Sequence, residues 1–195
     1  MLAATAVLLG THRFDQVSVA DILTEAGVSR ASFYFYFPSR QAVLAELVRR
    51  AVEQGHEAAA PWLSDGGDPL VGLRHGIRTG ARLWRDNAGV LVAIVDAWGS
   101  DPELRELWLR LMQGFTDATR RRLDDDPAAL RHLEGVDLDA VAASLTWLGE
   151  RLYYLAASGV APFNDEQVLV ETLLNAWTST LYGSPTPATR WTRSG

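Results

Sequence analysis

Residues 18–37 read SVADILTEAGVSRASFYFYF, and the fold turns on what this stretch forms. Ser18-Val-Ala-Asp21 has the pattern of a helix start in which a Ser and an acid three residues on cap each other's backbone N–H groups. Val19, Ile22, Leu23 and Ala26 then recur at helical spacing, giving one apolar side. Gly27 is a natural end for that helix, because glycine accepts the left-handed conformation that follows a last turn. Val28 can plug the core beneath the turn, and Ser29 caps a second short helix. That helix must stop before Pro38, whose ring disfavours helical geometry in the preceding residue. FYFYF at 33–37 is the one β-like run, but it is short and boxed between Ser29 and Pro38.

Two short helices joined by a tight glycine-containing turn make a helix-turn-helix unit. Where such a unit binds DNA, its second helix lies in the major groove with its first residues at base edges. The second helix suits that use. Arg30 reaches guanine or phosphate, Ala31 and Ser32 allow close approach, and Tyr34 and Tyr36 carry hydroxyls for phosphates. Phe33 and Phe37, four apart, face the core together. The same pattern also fits an ordinary aromatic-rich hairpin in a helical bundle.

Outward from this stretch the chain reads as all-α. One helix precedes it, over about 1–10, and Ser39 caps a long one carrying Val43, Leu44, Leu47, Val48, Ala51 and Val52. Pro61 to Pro69, with SDGGDP inside, is the clearest break. Helices are expected at 69–86, 88–98, 102–125, 138–158 and 165–182, separated by breaks that include DDDP at 124–127 and GVAPFND at 159–165. The tail 183–195 has turn residues without period and is expected to be disordered. The domain reading is 1–45 as a small module and 46–182 as a larger bundle.

Composition sets bounds. The 195 residues are 48% hydrophobic and 22% charged, and no apolar run is long enough to span a bilayer. The apolar N-terminus lacks a basic n-region and reads as a core helix, so a cytoplasmic location is expected. Cysteine is absent, which removes disulfides, thiolate metal sites and cysteine nucleophiles. All 18 basic residues are Arg, and the net charge is −6, which argues against coating DNA by bulk charge. The charge is uneven: residues 1–50 carry five Arg against four acids, so the negative balance belongs to the body.

An enzyme is a poor fit. His12, His56, His75 and His132 are scattered without metal-ligand spacing. Asp124-Asp125-Asp126 sits at a helix end beside Pro127 and reads as a solvated turn. Gly66-Gly67 and Gly72 lack a phosphate-loop pattern, and no Ser-His-acid set is evident. No metal, cofactor or catalytic residue is expected. A helical adaptor without DNA binding is the second alternative.

In the body, Val141, Leu145, Leu148, Leu152 and Leu155 form a helix-packing seam at spacings of 4, 3, 4 and 3. The last helix has two apolar stripes, Leu169, Leu173, Ala176 and Val170, Leu174, Trp177, Leu181, so it contacts its own bundle and something else. Trp108, Met112, Phe115 and Thr119 line one helix face. Such aromatics either complete a core or wall a cavity.

The stretch THRFDQVSVADILTEAGVSRASFYFYFPSRQAVLAEL, residues 11–47, resembles the N-terminal domain of the TetR family of transcriptional regulators. VSVADI, AGVSRASFYFYF and PSRQAVL carry the match in register. Within the family, SRASFYFYFPSRQAVL is similar to the mycobacterial ethionamide-resistance repressor group, and weaker similarity continues through ELWLRLMQGF, the ER of LGERLYY, and AWTSTLYG. Family members usually carry further, often basic, residues ahead of this start. The resemblance implies a homodimeric repressor with a helix-turn-helix domain and a ligand-binding bundle. Its partners would be a double-stranded, palindromic DNA operator and a small hydrophobic effector, with no membrane. It implies DNA contacts at Ser18, Ser29, Arg30, Ala31, Ser32, Tyr34, Tyr36, Ser39 and Arg40, with Arg13 a weaker candidate. It implies a ligand pocket walled by Trp108, Met112, Phe115, Thr119, Thr146, Gly149, Tyr154 and Trp177. Thr146 and Gly149 stand where that group places two Asn side chains, which implies a less polar pocket there.

Overall fold

A computed structural model describes residues 1–63 and 69–183, the side chains of 58–63 and 69 excepted. Among these residues the chain is helical throughout, with no strand. The helices are α1 (Leu2–Leu9), α2 (Val19–Ala26), α3 (Arg30–Tyr36), α4 (Arg40–Leu63), α5 (Pro69–Asp86), α6 (Ala88–Ala97), α7 (Pro102–Asp124), α8 (Pro127–His132), α9 (Leu138–Ala157) and α10 (Glu166–Tyr182). A single 3₁₀ turn, Phe14–Gln16, joins α1 to α2.

The local signals act as their chemistry requires. Ser18 Oγ accepts from the Asp21 N–H while the Asp21 carboxylate accepts from Ser18 N–H at 2.8 Å, closing the capping box of α2. Gly27 ends α2 at φ 63, a conformation that costs other residues a Cβ clash. Ser29 Oγ accepts from Ser32 N–H at 3.1 Å to start α3. Phe37 is extended, as the residue before Pro38 must be, so the β-like run is a helix ended by proline. In the body, Asp101, Asp137 and Asp165 cap α7, α9 and α10, each carboxylate accepting two backbone N–H groups. Some of the body's acidity is therefore capping chemistry.

Two expectations change, and one helix is added. The break set at Pro61 starts later, because α4 continues to Leu63; of the remainder, 64–68 lie outside the described residues, as does the tail from 184. The turn at 124–127 is not simply solvated. Asp126 is 7% exposed, and it caps an additional helix, α8. Its Oδ1 accepts from the N–H groups of Ala128 and Ala129, and its Oδ2 accepts from the Tyr182 hydroxyl at 2.8 Å. Pro127 starts this helix at little cost, since the first helical position needs no N–H partner.

Two apolar clusters hold the chain together. One runs from Leu9, Phe14, Val17, Ile22 and Phe33 through Val43, Leu44 and Val48 of α4 to Trp84, Leu91, Ile94, Leu104 and Trp108. It crosses the expected 45/46 division without interruption, so the small module is seated on the body. The second lies among α5, α8, α9 and α10, with Leu73, Ile77, Leu145, Leu152, Leu169, Leu173 and Leu181. Complete burial of a side chain such as Ile22, Phe33 or Leu44 contributes about 1.5–3 kcal/mol.

Candidate nucleic-acid interface and ligand cavity

One face of α3 is anchored and the rest is open. Phe33 is 0% exposed and packs 6.3 Å from Phe37, the anchor pair expected from their spacing. Arg30, Ala31, Ser32, Tyr34 and Tyr36 are exposed, and among the described residues Arg30 has no ion pair. Phe35, absent from the expected contacts, is the most exposed large apolar side chain of the helix at 81% and stacks edge-on against Tyr36. Tyrosine hydroxyls, a free guanidinium and small residues at the helix start form a surface that fits a groove edge.

Three of the four serines expected at DNA are caps; Ser32 lies inside α3. Ser18, Ser29 and Ser39 sit at the starts of α2, α3 and α4, and Ser39 Oγ accepts from Ala42 N–H at 3.2 Å. Hydrogen bonds from Ser18 hold the exposed Asp21 carboxyl below its ordinary value. Arg40 differs in orientation from a phosphate clamp. Its Nη1 donates to the carbonyl oxygens of Phe14, at 2.8 Å, and Val17, and the guanidinium lies 4.8 Å from the Phe14 ring centroid. It ties the 3₁₀ turn to the start of α4. Arg13 lies within ion-pairing distance of Asp15 at 3.4 Å and Asp96 at 3.8 Å.

The body holds a cavity of about 150 Å³, open at its mouth, between α4, α5, α7, α9 and α10. Its wall includes Met112, Phe115, Thr119, Thr146, Gly149 and Trp177, six of the eight residues that the family resemblance implies. Trp108 and Tyr154 lie off the wall. Trp108 is 1% exposed and packs edge-on against Trp84 at 6.1 Å, which takes the wall position in its place. The Tyr154 hydroxyl donates to Asp96 at 2.8 Å, and that bond raises its pKa. Its neighbour Tyr153 faces the cavity, donating to the Ile77 carbonyl at 3.0 Å, and burial pushes its phenol pKa up. One residue's shift around a helix exchanges these two tyrosines, which sequence spacing alone did not resolve.

Other wall residues were missed because they are small or charged. Gly55, Gly76 and Gly80 give α4 and α5 a thin surface toward the cavity. Beside Gly55, His56 stacks on Phe115 at 4.0 Å, and burial together with Arg121 lowers its pKa. Glu150 is a carboxylate on the wall with 5% exposure, where the sequence reading expected an apolar surface. Burial raises its pKa, with Arg151 and Trp108 offsetting part of the effect.

Similarity to known proteins follows the same division. Residues 1–47 match the family model described as bacterial regulatory proteins, tetR family, and residues 73–183 match that of the transcriptional regulator EthR, C-terminal domain. The chain is 32% identical over 190 residues to the HTH-type transcriptional regulator EthR of Mycolicibacterium smegmatis, covering 94% of this chain and 85% of that protein. For EthR of Mycobacterium tuberculosis the identity is 31%, covering 94% and 86%. Among solved structures, a TetR-family regulator from Syntrophomonas wolfei superposes with a TM-score of 0.74 at 14% identity, covering 96% of this chain and 95% of that one. The TetR-family regulator PfmR from Thermus thermophilus gives 0.70 at 22% identity, covering 95% of each chain. The chain belongs to the TetR family, as a DNA-binding transcriptional regulator with an EthR-type C-terminal domain and not as an enzyme.

Proposed function

We propose that the protein is a repressor that binds a palindromic operator as a homodimer and leaves it when a small apolar ligand fills the body cavity. The observation that carries this reading is α4. A single helix starts at the Ser39 cap, beside the recognition helix, and presents Gly55 to the cavity two dozen ångströms of helix rise further on, at ~1.5 Å per residue. A ligand that displaces one end of a helix moves the other, because the packed core does not deform continuously.

At DNA, Arg30, Ala31, Ser32, Tyr34 and Tyr36 would meet bases and nearby phosphates. Ser18, Ser29 and Ser39 would offer helix starts to phosphate oxygens. Arg40 would hold the start of α4 in place, and so orient Ser39 beside it. Two modules are needed, since each has few contacts. Val141, Leu148 and Leu155, seven apart on α9, stay half-buried, as does Ala176 on α10. That edge supports a four-helix dimer interface. Recognition helices held ~34–36 Å apart, or somewhat more, would fit successive half-sites. A ligand that favours another spacing lowers operator affinity by its preference for that state.

A gel shift against the DNA upstream of the protein's own gene tests the reading, with and without apolar compounds that raise the melting temperature. Binding to none of the nearby palindromes removes the operator reading. Stabilisation by a ligand without DNA release removes the switch.

A further inference from the structure

Among the described residues, the cavity wall carries one carboxylate on an otherwise uncharged lining. Glu150 supplies it, and neither carboxylate oxygen has a hydrogen-bond partner. Thr146, one turn earlier on the same face of α9, has a buried hydroxyl that is also without a partner. Arg151 comes within 3.8 Å of Glu150 Oε2, but its own side chain is 55% exposed and lies over the Tyr154 ring, 5.0 Å from the centroid. It shares the charge with solvent instead of neutralising it inside. The Trp108 indole N–H, behind the wall, interacts with the Glu150 carboxyl and lowers its pKa without closing a well-formed hydrogen bond to it. Buried polar groups are hydrogen-bonded as a rule, and a buried carboxylate without a close partner is costly. Of these, Glu150 and Thr146 hold three unpaired acceptor atoms at the cavity wall.

We infer that the effector is an apolar amine, whose protonated head binds Glu150 and Thr146 while its hydrocarbon body lies against Leu83, Phe115 and Trp177. This rests on the cavity being the effector site. An ammonium has three N–H donors, and the two Glu150 oxygens and Thr146 Oγ1 are three acceptors on one turn of helix. A charged donor meeting a charged acceptor out of water forms the stronger class of hydrogen bond. An alcohol of the same body supplies one neutral donor. A carboxylate brings a second negative charge beside Glu150, the one charged wall residue among those described, and is disfavoured. Burial raises the Glu150 pKa even with Arg151 and Trp108 acting against it.

Three probes with one body and different heads test this: 4-phenylbutylamine, 4-phenylbutanol and 4-phenylbutyrate, titrated calorimetrically into the full chain and into E150Q. Glutamine keeps the shape and removes the charge, and an unchanged helical circular dichroism spectrum verifies that the variant is folded. The expected result is that the amine binds wild type at least about tenfold tighter than the butyrate, and loses at least about tenfold in E150Q, while the alcohol binds both proteins alike. Equal binding of the amine to E150Q, or of the butyrate and the amine to wild type, overturns the headgroup assignment. If the alcohol binds and the amine does not, the assignment fails and the cavity reading stands. If none of the three binds, the cavity reading falls with it.

Discussion

Gly89 lies directly against Leu9: a Cβ built on Gly89 would stand 2.4 Å from the Leu9 carbonyl oxygen and 2.6 Å from its carbon. The contact joins the end of α1 to the start of α6, backbone against backbone. It is one of the places where the DNA-binding module rests on the body. Neither backbone has a flexible side chain that could yield.

G89A should therefore force the two helices apart. The expected cost is about 1–3 kcal/mol, as for overpacking elsewhere. A urea melt measures it, and an unchanged midpoint would show that the joint is looser than its geometry. Operator affinity should change as well, because the module's seat on the body moves.

Arg30 and Arg40 should separate binding from stability. R30A, combined with Y34A, should abolish operator binding and leave both the melting temperature and the dimer unchanged, since both side chains are exposed. R40A should cost about 1.5–3 kcal/mol of stability, the range for hydrogen bonds to a charged group. Operator binding surviving the R30A/Y34A change would sink the assignment of α3 as the reader.

Filling the cavity from α4 should mimic ligand. A Cβ on Gly55 would meet Leu83 at 3.0 Å and Phe115 at 3.1 Å, so G55L must push these side chains or move α4 itself. The expected outcome is weakened operator binding with no compound added, read by gel shift. Wild-type affinity in a folded G55L protein would mean that α4 does not couple the sites.

Glu150 should make the protein less stable as pH rises. Its folded pKa lies above the ordinary carboxylate value of 4.5, so the folded state keeps its proton to a higher pH than the unfolded chain does. By linkage, stability is lost from about that value upward, through the raised pKa. E150Q removes this component. Urea midpoints of the two proteins should therefore diverge with increasing pH, E150Q becoming the more stable; parallel profiles would contradict the shift.

Asp126 should matter more than its place in an acidic run suggests. D126A removes the cap of α8 and the acceptor of the Tyr182 hydroxyl together. The loss of a cap alone costs about 0.5–2 kcal/mol, and the unpaired hydroxyl adds to it. Thermal denaturation of D126A and Y182F separates the two contributions.

The sequence by itself determined the two short helices of residues 18–37 and most of the helices around them. Caps at Ser18 and Ser29, a left-handed Gly27 and a proline stop at Pro38 are local chemistry, so residues 18–37 could take few other forms. The pair Phe33 and Phe37 was legible for the same reason: a spacing of four puts them on one face. The helix-packing seam on α9 followed from period alone. What only the tertiary structure decided is what each side chain meets from elsewhere in the chain. Arg40 looked like a phosphate clamp from its helix-start position, yet its Nη1 donates to carbonyls of the turn at 14–17. Asp126 looked solvated until Tyr182, 56 residues away, supplied its partner. On the cavity wall Tyr153 and Trp84 stand where Tyr154 and Trp108 were expected, and Glu150 lies among apolar neighbours. Periodicity reports which face of a helix is buried, but whether that face meets packed atoms or empty space depends on helices distant in sequence.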